Sequence, residues 1–329
     1  MHLCNLITLT MKFYPLTFTP ILKDRIWGGT KLKTYLNKSI ISETTGESWE
    51  ISTVPGDVSV VNNGFFEGKS INEIIDLYPT EILGKTVVAR FGKQFPLLFK
   101  FIDAKEDLSI QLHPNDELAK ERHNSFGKTE MWYVMQADAS SRLVVGFKND
   151  SNQQEYLEKL ANKNLVSLLN EYPVKRGDVF FLETGTIHAI GAGVVVAEIQ
   201  QTSDITYRIY DWDRVDSNGN GRELHTELAL DAINYQITAS KVDYIEQTNQ
   251  AAKVVDCPYF VTNIVALQDH FIWKKTKESF TVFMCTNGQF ELILNGEIMR
   301  FQMGDTILIP AIIDHLTLKG KATILEISI

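Results

Sequence analysis

The alternation of apolar and polar residues along the chain predicts many short β-strands. Runs rich in Val, Ile, Phe and Tyr recur and are bounded by Gly, Asp or Asn, which is typical of strands separated by tight turns. The clearest runs are GDVSVV, QFPLLFKFI, MWYVMQ, RLVVGF, DVFFLE, VVVAEIQ, ITYRIYDW, QFELILNG, DTILIP and ATILEISI. Strands at this spacing favour an all-β barrel or sandwich, so we expect a mainly β fold.

A few segments interrupt the strands with helical signals. Residues 70–78 and 116–123 predict short helices. In residues 152–170 one helical stripe is formed by Tyr156, Leu157, Leu160, Leu165, Leu168 and Leu169. Residues 223–235 favour another helix. The polar residues 241–254 are the best candidate linker.

An internal repeat divides the chain into two β-rich halves. Residues 177–188 read GDVFFLETGTIH and residues 304–315 read GDTILIPAIIDH, each ending in a histidine eleven residues after its first glycine. Upstream of them, residues 130–145 are similar to residues 279–294. The first half is longer by about the length of the helical segment near 152–170. The first half is therefore predicted to have the same fold as the second, with a helix inserted.

Both halves resemble the cupin family, whose second motif runs Gly, five residues, Pro-x-Gly-x-x-His. The first copy keeps Gly185 and His188 but has Glu183 for the proline, and the second keeps Pro310 but has Ile312 for the glycine. The resemblance implies two cupin-type jelly-roll barrels. We expect a disordered extension at 1–11, a catalytic domain at 12–245 and a second barrel at 246–329.

A metal at the mouth of the first barrel is the main functional expectation. Gln111 and His113, in the stretch QLHPND, share one face of a predicted strand. The candidate ligands are Gln111, His113, Glu130 and His188. This set suits one Zn²⁺ per chain and would also accept Mn²⁺, Fe²⁺ or Co²⁺. Each residue alone has a structural explanation, and only the joint pattern favours a metal.

The second copy has lost the carboxylate of this pattern. Ser279 stands where the first copy has Glu130, so the C-terminal barrel is predicted to bind no metal. We interpret His315 as a packed or hydrogen-bonded histidine and the second barrel as support.

Longer stretches carry a more specific resemblance, to the type I mannose-6-phosphate isomerases in their short bacterial form. They are DRIWGGTKL, GESWEIS, LLFKFIDAKEDLSIQLHPND, GKTEMWYV and GTIHAIGAGVVVAEIQQTSDITYRIYDW, which together span most of the chain from about residue 12. The resemblance implies a zinc-dependent interconversion of mannose 6-phosphate and fructose 6-phosphate. It places Arg208 on the active-site arginine, and other cleft positions on Trp27, Ser109, Lys128 and Glu198.

Aldose–ketose isomerisation needs these residue types, because a proton moves between C1 and C2 while negative charge develops on oxygen. Glu198 is the first candidate for the base, with a pKa raised toward neutrality, and a neutral histidine or a water on the metal is the alternative. Arg208 and Lys128 offer cations for the phosphate or the oxyanion. Ser109 could donate to phosphate, and Trp27 could stack on the open-chain sugar.

Composition limits the partners. A formal charge of −9 argues against nucleic acid, and 44% hydrophobic with 22% charged residues is ordinary for a soluble domain. Cysteines at 4, 257 and 285 fit a reducing cytoplasm, and no apolar run is long enough for a membrane span. We expect a cytoplasmic monomer or weak homodimer acting on a small phosphosugar. An Fe²⁺-dependent cupin oxygenase and a non-catalytic sugar-binding cupin are the competing hypotheses.

Overall fold

Antiparallel strands dominate the computed structural model, which describes residues 13–215 and 218–329. The prediction of a mainly β fold with a few inserted helices is confirmed. The extension expected at 1–11 lies outside the described residues. Within them, no helix combines the length and apolar character needed to cross a bilayer.

The strands and helices follow one another along the chain with short connections. The strands are β1 (Ile21–Gly29), β2 (Thr45–Ile51), β3 (Thr53–Val54), β4 (Asp57–Val58), β5 (Leu97–Ala104), β6 (Ile110–Leu112), β7 (Glu130–Ala137), β8 (Arg142–Phe147), β9 (Leu169–Pro173), β10 (Val179–Leu182), β11 (His188–Ile190), β12 (Val194–Gln201), β13 (Tyr207–Tyr210), β14 (Lys241–Val242), β15 (Ala251–Asp256), β16 (Val261–Leu267), β17 (His270–Lys274), β18 (Thr281–Leu294), β19 (Glu297–Gln302), β20 (Thr306–Ile309) and β21 (His315–Ser328). The α-helices are α1 (Lys31–Thr34), α2 (Ile71–Leu77), α3 (Pro79–Leu83), α4 (Lys85–Phe91), α5 (Asp116–His123), α6 (Gln153–Ala161) and α7 (Thr226–Leu230).

Three large open sheets organise these strands. The first has the order β1-β2-β5-β12-β7-β10-β14 and the second the order β13-β6-β11-β8-β9. The third joins β15-β16-β21-β18-β19, with β17 on β21 and β20 on β18, and contains every strand from Ala251 onward. All three sheets are open, so the predicted barrels take the form of facing sheets that do not close.

Period-two alternation sorts side chains to the two faces of each sheet. On β7, Trp132 and Val134 face the second sheet, whereas Met131 and Tyr133 point away from it. Trp132 and Val134 pack with inward residues of the second sheet, among them Leu143 of β8. Together these side chains form the core of the first unit, which consists of the first and second sheets. The first and second sheets therefore pack face to face, and polar residues at inward positions enter the space between them.

The outward face of the first sheet joins the two halves of the chain. Phe99 and Phe101 of β5 pack there in one continuous apolar cluster with Ile74 of α2 and with Met284 and Ile327 of the third sheet. The inner face of the third sheet has its own apolar core. The third sheet, which forms the C-terminal unit from residue 251 to residue 329, therefore packs against the back of the first sheet. The front of the first sheet carries the polar inward residues.

Two predicted helices are shorter than expected. The segment 152–170 is helical only over Gln153–Ala161, turns 3₁₀ at Leu165–Leu168 and ends as strand β9, which pairs with β8. The segment 223–235 is helical only over Thr226–Leu230. In both cases hydrogen bonds to neighbouring strands and loops replace further helical turns. The predicted linker is also partly ordered, because Lys241–Val242 is the edge strand β14. The domain division at 245/246 stays a prediction.

Candidate functional site

A cleft of about 490 Å³ opens between the first two sheets, at the end where polar residues replace the apolar core. Strands β1, β2, β5, β7 and β12 supply one wall, and β6, β11 and β13 supply the other. Its charged and polar lining is Lys23, Arg25, Glu47, Asp57, Lys100, Ser109, Gln111, Lys128, His188, Glu198, Asp204, Thr206, Arg208 and Arg222. Such a strongly charged lining favours a charged or polyhydroxylated ligand over an apolar one.

Three of the four predicted metal ligands converge in this region. His113 Nε2 lies 3.4 Å from Glu130 Oε2, and His188 Nε2 lies 3.4 Å from Glu130 Oε1. Each side chain is at most 2% exposed. Both imidazole Nε2 atoms and both carboxylate oxygens are buried and have no hydrogen-bond partner among residues 13–215 and 218–329. Four unpartnered buried polar atoms that face one another are unusual in a folded protein and fit a cation between them.

The local backbone fixes the ring nitrogen that each histidine offers. His113 Nδ1 lies 2.8 Å from the carbonyl oxygen of Ile205, and His188 Nδ1 lies 2.9 Å from that of Thr186. A carbonyl only accepts, so Nδ1 carries the proton in both rings. The Nε2 lone pairs therefore point toward Glu130, which is the orientation that metal-binding histidines take from such outer partners.

Burial and nearby charges keep the two imidazole rings neutral and disfavour the ionised form of Glu130. Burial lowers the pKa of His188 to about 4, and burial together with the charge of Lys128 lowers that of His113 well below its usual value. Burial, and then the negative charge of Glu198, raise the pKa of Glu130. A divalent cation among the three side chains would remove the penalty on ionised Glu130 and use the two free lone pairs.

Gln111 lies beside this group. On β6, Gln111 is the antiparallel pairing partner of His188 on β11 and, on the other side, of Arg208 on β13. Its side chain lines the cleft. Its Oε1 accepts a hydrogen bond from Ser109 Oγ at 3.2 Å. Ile110 and Leu112 point to the opposite, apolar face. Gln111 and Ser109 therefore both face the cleft.

The predicted cations occupy different depths of the cleft. Lys128 is 5% exposed, and its Nζ lies 3.5 Å from Glu130 Oε2. Arg208 is half-buried on β13, and its Nη1 donates to the carbonyl of Glu223 at 2.9 Å. Its buried Nε has no hydrogen-bond partner in the described part of the chain. Burial and the nearby charge of Arg222 lower the pKa of Arg208, which indicates an electropositive rim.

Glu198 lies on β12 and is held by two donors. Lys100 Nζ donates to its Oε1 at 2.9 Å, and Trp132 Nε1 donates to its Oε2 at 2.8 Å. Burial would raise the pKa of Glu198, but Lys100 and Lys128 outweigh burial and lower it. The raised pKa expected of the base is therefore not found at Glu198, because a buried lysine, unforeseen in that role, pairs with it.

Trp27 is both core and cleft wall. It is 3% exposed, belongs to the inward apolar cluster and lines the cleft at the end of β1. A Cβ at Gly46 would lie 2.5 Å from its ring, so a glycine is needed beneath the indole. Trp27 therefore packs in the core and also lines the cleft.

Lys100 is a cleft residue that the motifs in the sequence do not single out. It is buried, donates also to Gln200 Oε1 at 2.7 Å and lies near Glu47. Glu198 and Glu47 raise its pKa against the effect of burial. The local sequence LLFKFI carries a signal for this, because a lysine with apolar residues on both sides in a strand predicts a buried ion pair.

The corresponding position of the C-terminal unit is built differently. His315 begins β21 as His188 begins β11, but its side chain is 68% exposed and its Nδ1 hydrogen-bonds Asp314 at 2.7 Å. It is therefore hydrogen-bonded and not packed. Ser279 donates to the carbonyl of Phe280 and accepts from the backbone of Ile329. Apolar side chains fill the space between the strands.

Fold and site together define a β-sandwich protein of the cupin class, with a candidate metal site beside a polar, cation-rich cleft. Sequence comparison refines this class. The family profile "Phosphomannose isomerase type I, catalytic domain" matches residues 16–133, and "Mannose-6-phosphate isomerase, cupin domain" matches residues 250–329. Mannose-6-phosphate isomerase ManA of Bacillus subtilis is 34% identical, over 94% of this chain and 96% of its own. The Streptococcus mutans mannose-6-phosphate isomerase is 34% identical, over 94% and 97%.

Solved structures agree with these relatives. The mannose 6-phosphate isomerase from Bacillus subtilis superposes with a TM-score of 0.88 at 33% identity and covers 96% of this chain and 99% of its own. A phosphomannose isomerase variant from Salmonella typhimurium, 16% identical, shares the fold with a TM-score of 0.78 over 95% and 98%. The chain belongs to the type I phosphomannose isomerase family, and the predicted cupin fold class and family resemblance are confirmed.

Proposed function

We propose that the chain interconverts mannose 6-phosphate and fructose 6-phosphate with one Zn²⁺ bound by His113, Glu130, His188 and Gln111. The observation that carries the proposal is the set of four unpartnered buried atoms on the first three residues, next to a cleft with a rim of cations. Membership of the phosphomannose isomerase family supports the substrate. Mn²⁺, Fe²⁺ or Co²⁺ could replace zinc in this mixed N/O set.

Zinc in this site would supply a Lewis acid that polarises the sugar carbonyl and stabilises negative charge on oxygen. The residues of the chain bind, orient and shield the substrate. We assign Arg208 to the phosphate or the developing oxyanion, since none of the described residues hydrogen-bonds to its Nε. Lys128 offers a second cation close to Glu130, and Ser109 a hydroxyl beside Gln111. Trp27 presents its ring to the open-chain sugar.

Glu198 is the first candidate for the proton-transferring group. It is an ionised carboxylate at neutral pH, because Lys100 and Trp132 hydrogen-bond to its two oxygens. Those bonds also make it a weak base, so we expect a proton transfer through Glu198 to require movement of the Lys100 ammonium. We also propose that residues 12–245 carry the catalysis, that residues 246–329 support them without a metal, and that the protein acts in the cytoplasm.

One assay separates the competing functions. Purified protein is given mannose 6-phosphate and a coupled readout of fructose 6-phosphate, with chelator and then with zinc restored. We expect turnover that chelator abolishes and zinc restores. No turnover after zinc repletion would refute the isomerase. Oxygen consumption dependent on Fe²⁺ would instead support the oxygenase, and sugar binding without turnover the non-catalytic cupin.

A further inference from the structure

Asp116 links the two segments that carry the candidate metal ligands. It is the first residue of α5, three positions after His113. Its Oδ1 accepts hydrogen bonds from the backbone N–H of Gly127 at 2.8 Å and from Gln201 Nε2 at 3.0 Å. Gln201 Oε1 in turn accepts the backbone N–H of Thr129 at 2.8 Å. One carboxylate therefore holds both ends of the turn that leads into β7.

This turn carries Lys128 and precedes Glu130, so its position fixes two groups of the cleft. The backbone N–H of Lys128 donates to the carbonyl of Pro114 at 3.3 Å, next to His113. A Cβ at Gly127 would lie 2.7 Å from the backbone nitrogen of Asp116, so the turn is closely seated on the start of α5. A small shift of α5 would therefore move the His113 and Glu130 segments relative to each other.

The second oxygen of Asp116 is held from the other half of the chain. Tyr259 Oη donates to Asp116 Oδ2 at 2.8 Å. Tyr259 lies between β15 and β16, in a turn closed by a hydrogen bond from Cys257 N to Phe260 O, and the Arg90 guanidinium lies 5.9 Å from its ring. Burial and the neighbouring Asp116 carboxylate raise the pKa of Tyr259 to about 12, so the phenol is a neutral donor at physiological pH.

We propose that Tyr259 and Asp116 are positioning residues through which the C-terminal unit sets the geometry of the metal site. Tyr259 orients the Asp116 carboxylate, which holds Gly127 directly and Thr129 through Gln201. The C-terminal unit thereby acts on the ligands without contacting them. The inference rests on the proposed metal site, and it gives the unit a role beyond covering an apolar face.

Tyr259→Phe tests the proposal because it removes one hydroxyl and keeps the ring. Tyr244→Phe is the matched control: Tyr244 also packs on the shared core and donates to a backbone carbonyl, that of Gly177 at 2.7 Å. Two readouts do not need turnover. They are amide hydrogen exchange of residues 124–130 in the metal-free protein and the rate of zinc release to a chelator from the loaded protein. Thermal unfolding checks that both variants fold.

We expect both variants to unfold at slightly lower temperature, and only Tyr259→Phe to speed exchange in the 124–130 peptide and zinc release, each by about tenfold. Asp116→Asn is expected to have a similar effect. Adding Tyr259→Phe to Asp116→Asn is expected to change exchange and zinc release little further, because both substitutions break the same link. Wild-type exchange and zinc release in Tyr259→Phe, or the same changes in Tyr244→Phe, would overturn the proposal. The exchange result stands even without isomerase activity, so the two proposals fail separately.

Discussion

Replacing Lys100 by Met would test how the polar end of the first unit is held together. Lys100 is 5% exposed and donates to Glu198 Oε1 at 2.9 Å and to Gln200 Oε1 at 2.7 Å. Methionine fills much of the same volume but leaves buried Glu198 without its ammonium partner. Breaking a buried ion pair in this way costs about 3 to 5 kcal/mol, a large share of the roughly 5 to 15 kcal/mol that stabilises a typical domain.

The pH dependence of this loss identifies its cause. In the wild type the pKa of Glu198 lies below its ordinary value, so its ionised form contributes stability at neutral pH that is lost as the pH falls through that pKa. Without Lys100, burial becomes the dominant effect and raises the pKa of Glu198. The variant is then least stable at neutral pH, where Glu198 is ionised in both states. It recovers stability as the pH falls through the raised pKa of folded Glu198 toward the unfolded pKa of about 4.3, because the folded carboxylate takes up a proton in this range.

Urea unfolding of metal-free wild type and variant, at about pH 7 and about pH 5, measures both effects. Lys38→Met is the matched control, since Lys38 forms a second buried ion pair, with Glu50 at 2.7 Å, outside the cleft. We expect both variants to lose stability and only Lys100→Met to lose isomerase activity. A loss for Lys100→Met below about 1 kcal/mol, or an equal loss at both pH values, would refute the assigned role of the pair.

Further predictions concern the metal, the phosphate and the packing of the cleft. His113→Ala is expected to lose bound metal and activity together in a metal analysis, whereas His315→Ala keeps its metal; an emptied site in His315→Ala would contradict our account of the second unit. Arg208→Lys should raise KM for the phosphosugar by about tenfold or more in steady-state kinetics, because an ammonium cannot replace a planar fork; an unchanged KM would remove Arg208 from the substrate. Gly46→Ala should cost about 1 to 3 kcal/mol in urea unfolding, since the new methyl meets the Trp27 ring; a neutral result would mean that the ring yields easily.

The helical segment at 152–170 illustrates the limits of periodicity. Its apolar stripe is real, because Tyr156, Leu165 and Leu169 all reach the same core. The helix nevertheless ends at Ala161, and Leu169 begins a strand. Pairing with β8 satisfies the backbone of that strand, and no local signal in the sequence encodes this partner.

The candidate ligands show the opposite case. Their spacing predicts that Gln111 and His113 share one strand face, and the repeat makes His188 the counterpart of His315. Those inferences needed only strand alternation and internal similarity. What spacing could not supply is the approach of Glu130 to both imidazoles, which depends on the packing of the first two sheets.

The sequence by itself determined the mainly β architecture and predicted an internal repeat and candidate metal ligands, because period-two patterning and motif order are local properties of the chain. Tertiary structure alone decided which charges meet. The burial of Lys100 against Glu198 and the hydrogen bond from Tyr259 to Asp116 join residues 98 and 143 positions apart. Such pairs arise from sheet register and from the docking of the two units, in which distant segments share a dry interior where each charge needs a partner.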